Sequence, residues 1–294
     1  MRPAVETLVI ALDAPDDFAG FRQAARVLLA MGAEPDAIHW RYAAPLAAAE
    51  APMLETDLFA SNAADSAAGQ ALSPDALDQL PVPPSAPVHI KKPQLASLRA
   101  ACCHRNPARF ALCYRWLWRV QQAPHLAADV LDADWRDIER LAKAVGREIH
   151  KMHAFVRFRP AHQEGAEPLH IAWFEPDHYI VRAGAGFFMR RFPNMRWAIL
   201  TPDCSALWDL HQLQFAPGAS KADAPGPDAG EALWLAYYQS TFNPARLKEQ
   251  AMLREMPRRY WKNLPEAQLI SSMVASATHR TGHMLAVHAR KENS

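Results

Sequence analysis

The chain has 294 residues, half of them apolar, and a net charge of +1; a chain of this size and make-up can bury a sizeable core, which excludes disorder throughout. No run approaches the roughly 18 consecutive apolar residues of a membrane span, and the N-terminus opens into a strand-like run rather than a basic signal segment, so a cytoplasmic protein is expected. The near-neutral total hides a division, because residues 1–100 hold 7 of the 32 Lys/Arg and 12 of the 31 Asp/Glu, leaving 25 against 19 in residues 101–294, together with 11 of the 13 histidines.

The first 42 residues read as strand, helix, strand. Leu8, Ile10 and Leu12 alternate, Asp16 and Asp17 can cap a helix, and Phe18, Phe21, Ala25 and Leu28 recur at helical spacing. Gly32 closes that helix and Ala37 to Tyr42 forms a second short strand. So small a unit cannot bury its apolar faces alone and is expected to dock on the rest of the chain. Residues 43–93 are Ala-rich and then Pro-rich, ending in Leu80-Pro-Val-Pro-Pro-Ser-Ala-Pro87. Proline removes backbone donors and favours extension, which predicts a linker or mobile arm with at most one short helix.

The main domain is expected over residues 94–294. A helix starts at Asn106-Pro107 and runs to about Gln121, with Asn as cap and Pro in the first turn. A second spans about Asp134 to Met152. Strands are predicted at Ala154–Arg159, Leu169–Phe174, Phe187–Phe192, Arg196–Leu200 and Leu213–Phe215, and short connections between them imply an antiparallel sheet. Helices are predicted again at 229–241, from Asn243-Pro244 and from Pro265. The fold class is therefore α+β, an antiparallel sheet flanked by helices with the N-terminal unit docked on it.

The four cysteines, Cys102, Cys103, Cys113 and Cys204, have neither zinc-knuckle nor CxxC spacing and read as free thiols, so no metal and no cofactor is implied.

The helix from Asp134 to Met152 separates charge from apolar residues. At 100° per residue, Arg136, Arg140, Lys143, Arg147, His150 and Lys151 fall within an arc of about 100°, opposite Trp135, Ile138, Leu141, Val145, Ile149 and Met152. The apolar stripe is expected to pack on the sheet and the basic one to face out. A solvated face ordinarily mixes signs for i,i+4 pairs; here Asp137 and Glu148 lie at the border and only Glu139 near the stripe. The cations meet nucleic-acid phosphate, or carboxylates elsewhere in this chain, or water. On the preceding helix Arg109, Arg115 and Arg119 share an arc with Trp116, which either stacks on an unpaired base or is core, core being the expectation.

Further strings, His150-Lys-Met-His-Ala-Phe-Val-Arg-Phe-Arg159, Ala172-Trp-Phe-Glu-Pro-Asp-His178, Met195-Arg-Trp-Ala-Ile-Leu-Thr-Pro202, Phe242-Asn-Pro-Ala-Arg-Leu247 and Glu255-Met-Pro-Arg-Arg-Tyr-Trp-Lys-Asn-Leu-Pro-Glu266, agree in order with a bacterial family. Over roughly residues 94–280 the chain resembles the DUF4130 family, described as DNA metabolism or repair proteins. The resemblance implies association with a DNA-repair radical SAM protein, and some members are fused to a C-terminal domain like the uracil-DNA glycosylases. This chain ends at Ser294, where such a fusion would begin, and lacks the cysteine set of a glycosylase iron–sulfur cluster, so glycosylase activity is not carried over.

Groups for acid–base or metal chemistry gather in the strand region. His150, His153, Glu175, Asp177 and His178 are the catalytic candidates, with His170, Asp203 and Asp209 nearby, although no metal-binding string such as HExxH occurs. In Glu175-Pro-Asp-His178 the acids either hold a divalent ion for phosphodiester chemistry or bond the amides of their own turn. His150 extends the basic stripe, and His153 points toward the next strand. Arg157 and Arg159 share a face if extended, and Arg190 and Arg191 form a second pair; both pairs could continue the stripe into a groove or pair with carboxylates at the sheet edge. Arg258, Arg259 and Lys262, interleaved with Tyr260 and Trp261 between two prolines, are candidate phosphate ligands on a loop.

The sequence thus points to a DNA-binding protein that holds DNA for a radical SAM or glycosylase-like repair enzyme. The alternatives are a metal-dependent nuclease or base-excising hydrolase, and an interaction module for an acidic protein.

Overall fold

A computed structural model describes residues 7–42, 71–80, 88–161, 168–226, 253, 255–267 and 269. The N-terminal strand, helix and strand are β1 (Leu8–Leu12), α1 (Phe18–Ala30) and β2 (Ile38–Tyr42), with β1 and β2 parallel. Parallel strands need a crossover, and α1 supplies it. The Asp17 carboxylate accepts from the Gly20 amide at 2.8 Å to cap α1, and Gly32, at φ +69°, closes it in the left-handed conformation that a side chain disfavours. Leu72 bridges the free side of β1, ahead of the short helix α2 (Pro74–Asp78).

Three helices follow: α3 (Lys92–Cys102), α4 (Arg109–Gln122) and α5 (Ala133–Phe155). Helix α4 begins slightly later than expected, and the Asn106 side chain accepts from the Ala108 amide at 2.9 Å in the turn before it. The Asp132 carboxylate caps α5 through the Trp135 amide at 3.0 Å. At 23 residues and a rise of about 1.5 Å per residue, α5 runs through both halves of the molecule.

Two apolar cores lie along it. The first joins β1, α1, β2, α3 and α4 to Trp135, Ile138 and Leu141 of α5; Trp116 is fully buried there, against Trp135, as core. The N-terminal unit therefore docks on helices. The second core takes Val145 and Met152 of α5 together with the sheet and α6 (Val181–Arg191). The apolar stripe of α5 packs mainly on α3, α4 and α6 rather than on the sheet.

The sheet has five strands in the order β3 (Arg159–Ala161), β4 (Leu169–Trp173), β5 (Trp197–Leu200), β6 (Cys204–Trp208) and β7 (Leu213–Pro217). It is antiparallel except for the parallel β4–β5 pair. That exception corrects the reading of Phe187–Phe192. The segment is not a strand but the last turns of α6, because two parallel neighbours must be joined by a crossover. Residues 154–158, expected as strand, are the end of α5 and a connection, and β6 is a strand the alternation did not mark. The helices predicted at 229–241 and from Asn243, and most of the one from Pro265, lie outside the described residues, as does the Pro-rich run 81–87.

Candidate nucleic-acid interface

The outward face of α5 carries Arg136, Arg140, Lys143, Arg147 and His150, all exposed. Its acids are local. Asp137 accepts from Arg140 at 2.9 Å and Glu139 from Lys143 at 3.2 Å, one helical turn apart and in water, where such pairs contribute about 0.3–0.5 kcal/mol. Arg136, Arg147 and His150 have no hydrogen-bond or ion-pair partner among the described residues. Lys151, at the end of the row, turns away; its ammonium is bound to the carbonyl and carboxylate of Glu255.

A short 3-10 turn, Arg258–Asn263, closes over the far end of α5. Two of its three cations are engaged from behind. Arg259 pairs with Glu148 and Asp177, and Lys262 with Glu175. Tyr260 is buried and stacks on Phe174, with centroids 5.6 Å apart. Arg258 lies over Trp261 at 5.8 Å. Glu148, which helical geometry put at the border of the basic stripe, is inside: its side chain is only 5% exposed, and its second oxygen accepts from the Asp177 amide at 3.1 Å. Burial disfavours the charged form of Glu175, but the Lys262 ammonium and the Trp173 indole, 2.8 Å away, outweigh it and hold that carboxyl below its ordinary range. The acids of this turn take Arg259 and Lys262 of the 258–263 segment.

The arginine pairs do not extend the α5 row into a groove. Arg157 is in the connection after α5, bonded to Glu266 at 3.0 Å and to the Ala154 carbonyl at 2.7 Å. Arg159 donates to the Pro225 carbonyl at 3.1 Å. Arg190 and Arg191, being helical rather than extended, do not share a strand face; they sit exposed at the C-terminus of α6, where cations suit the helix dipole.

Among the histidines, His153 is held between helices, its Nε2 3.1 Å from the Gly184 carbonyl and its ring stacked on Phe187 at 4.1 Å. Asp209 accepts from the amides of His211 and Gln212 in a turn. His178 differs: its ring lies 4.0 Å from that of His104. Burial, with the neighbouring His178 and the charges of Arg109 and Arg140, pushes His104 down to about 4. Burial likewise lowers His178, helped by Arg105 and Arg147 against the opposing pull of Glu148. Arg105 locks this corner, donating to the Asp177 carbonyl at 2.9 Å and pairing with Asp203. Sequence reasoning singled out neither His104 nor Arg105; they sit in the turn before α4, and only the fold brings them to His178, more than 70 residues away. Among the described residues no three His, Cys, Asp or Glu side chains are grouped to hold a metal.

A family model described as a domain of unknown function, DUF4130, matches residues 107–266, more than half of the chain. The match takes in α4, α5, the sheet and the 258–263 turn, and leaves the N-terminal unit outside. No curated protein and no solved structure matches the chain.

Proposed function

The chain belongs to the DUF4130 family, and we propose that it is a DNA-binding protein of DNA repair or metabolism that holds DNA for a partner enzyme. One observation carries the reading: five cationic or titratable side chains stay in water along one face of α5, with only weak local acids beside them. Like charges aligned on a helix repel, and an anion laid across them removes that cost. Phosphates of a nucleic-acid backbone at regular spacing are such an anion, and their displaced counterions supply most of the affinity. The partner suggested by the family resemblance is a radical SAM or uracil-DNA glycosylase-like repair protein. The proposal places the complex in the bacterial cytoplasm; among the described residues no helix is long and apolar enough to cross a membrane.

The reading as a metal-dependent nuclease or base-excising hydrolase has less support, since its acids Glu175 and Asp177 are engaged by Lys262 and Arg259. Mobility shifts with duplex and single-stranded probes test the proposal. With five phosphates neutralised, a fourfold rise in salt is expected to weaken binding roughly five-hundredfold. Binding that is absent or indifferent to salt overturns it, and copurification of an acidic protein without nucleic acid would reassign the α5 face to that partner.

A further inference from the structure

A cavity of about 240 Å³ opens between the loop Asp13–Asp16 of the N-terminal unit and the turn from Pro176 to Arg182, with β6 and β7 as its floor. It lies beside the basic face of α5, since His178 lines it and packs against His104, and the charges of Arg147 and Arg140 act on these two rings. Its walls are held in place from outside. Arg109, wholly buried, donates to the Pro15 carbonyl and to those of Cys102 at 2.8 Å and Asn106 at 3.0 Å. A buried guanidinium is stable only when so many acceptors surround it. Here it fixes the loop that carries Asp16. On the opposite side Arg105 ties the Asp177 carbonyl to Asp203.

The lining is flat and apolar at Pro176, Tyr179 and Phe215, and acidic at Asp16 and Asp203, with the more exposed Asp13 at its rim. Asp203 is neutralised by Arg105. Asp16 is not fully so: its side chain is 10% exposed and its nearest cation, Arg182 Nε, is 3.4 Å away and also lies over the Phe215 ring. Burial pushes the Asp16 carboxyl above its ordinary range despite Arg182. A buried carboxylate with one long ion pair favours further N–H donors. The space is smaller than the roughly 300–1,000 Å³ of sites for drug-sized ligands, which leaves room for a single planar ring system. A carboxylate repels phosphate but accepts from an amino group, as acids do from cytosine N4.

Resting on the DNA-binding reading, we infer that this cavity receives one unpaired base bearing an exocyclic amino group, cytosine above all, while the flanking phosphates stay over Arg140 and Arg147. Thymine and uracil present two carbonyl oxygens around one N–H and are turned away by Asp16. Extrusion costs a few kcal/mol for a paired base and less for one already unpaired, so a bulged nucleotide is the probe of choice.

The test compares the full chain's binding to three duplexes at one salt concentration: fully paired, with one bulged cytosine, and with one bulged thymine. The bulged cytosine is expected to bind at least tenfold more tightly than either of the others. Asp16→Asn, whose amide offers a donor to a carbonyl oxygen, should shift the preference toward thymine and leave affinity for the paired duplex and its salt dependence unchanged. Pro217→Phe, which adds a ring on the face of β7 shared with Phe215 and so narrows the cavity without touching a charge, should remove the preference for any bulge. Equal binding of paired and bulged duplexes, or a cytosine preference that survives both variants, overturns the inference while leaving the α5 interface standing. Failure to bind any of the three overturns both.

Discussion

Two basic segments that look alike in sequence meet opposite fates in the fold. The face of α5 keeps Arg136, Arg140, Lys143, Arg147 and His150 in water, whereas the segment 258–263 spends Arg259 and Lys262 on carboxylates of the protein itself. Charge density does not separate them. What separates them is whether the fold delivers an acid: Glu148 is buried beneath the turn and Asp177 and Glu175 flank it, but the outward side of α5 has only Asp137 and Glu139, a helical turn away on the same surface. The first arrangement is free to meet a ligand, and the second fastens the chain.

Breaking the comparison at the exposed face should produce the largest change. Arg136→Glu with Arg147→Glu is expected to lower affinity for duplex DNA by more than about a hundredfold at about 0.1 M salt and to reduce the salt slope by about 2, one for each phosphate no longer neutralised. Thermal unfolding of the same protein should stay within about 0.5 kcal/mol of wild type, as for other surface changes without partners. An unaltered salt slope would place the phosphates elsewhere.

At the fastening segment the order reverses. Arg259→Ala leaves Glu148 buried beside the Asp177 amide without its cation and is expected to cost about 1–3 kcal/mol in urea unfolding. Restoring neutrality with Glu148→Gln in the same chain should recover part of that loss, by far more than the two single effects added together would allow. If Arg259→Ala were neutral in stability yet weakened DNA binding, the segment would belong with the α5 face.

The histidine pair between the two regions sharpens the comparison through pH. His104, at about 4 in the fold against 6.5 when unfolded, takes up its proton in the unfolded chain first; its contribution is intact above pH 6.5 and is lost as pH falls toward 4, and His178 acts in the same direction. Stability should therefore decline through that window, and His104→Gln should flatten the decline. The smallest effect belongs to the local pairs: Asp137→Asn and Glu139→Gln should each change stability by less than about 0.5 kcal/mol, while slightly strengthening DNA binding by removing negative charge from the face. A loss of affinity from either would show that the acids position the cations.

Much of this was legible in the chain alone wherever the determinant is local. The strand, helix and strand at the N-terminus, the span of α5 and its two faces follow from periodicity and caps within a few turns, and they recur in the structure with small shifts at the ends. The error at Phe187–Phe192 arose because a short aromatic run fits a strand and a buried helix equally well; it is a helix because β4 and β5 lie side by side in parallel, a fact about residues 169–200 taken together. The acidic partners of Arg259 were hidden for the same reason, Glu148 being 111 residues away.

Sequence by itself determined that a helix from about Asp134 onward would carry its cations on one side, since 3.6 residues per turn fixes that arrangement before any packing occurs. Only the tertiary structure decided which cations remained available, because an ion pair between distant segments depends on where two stretches of backbone come to rest, and no spacing along the sequence encodes that distance. The same holds for the cavity behind His178, whose walls come from the N-terminal loop, the turn before α6 and the last two strands.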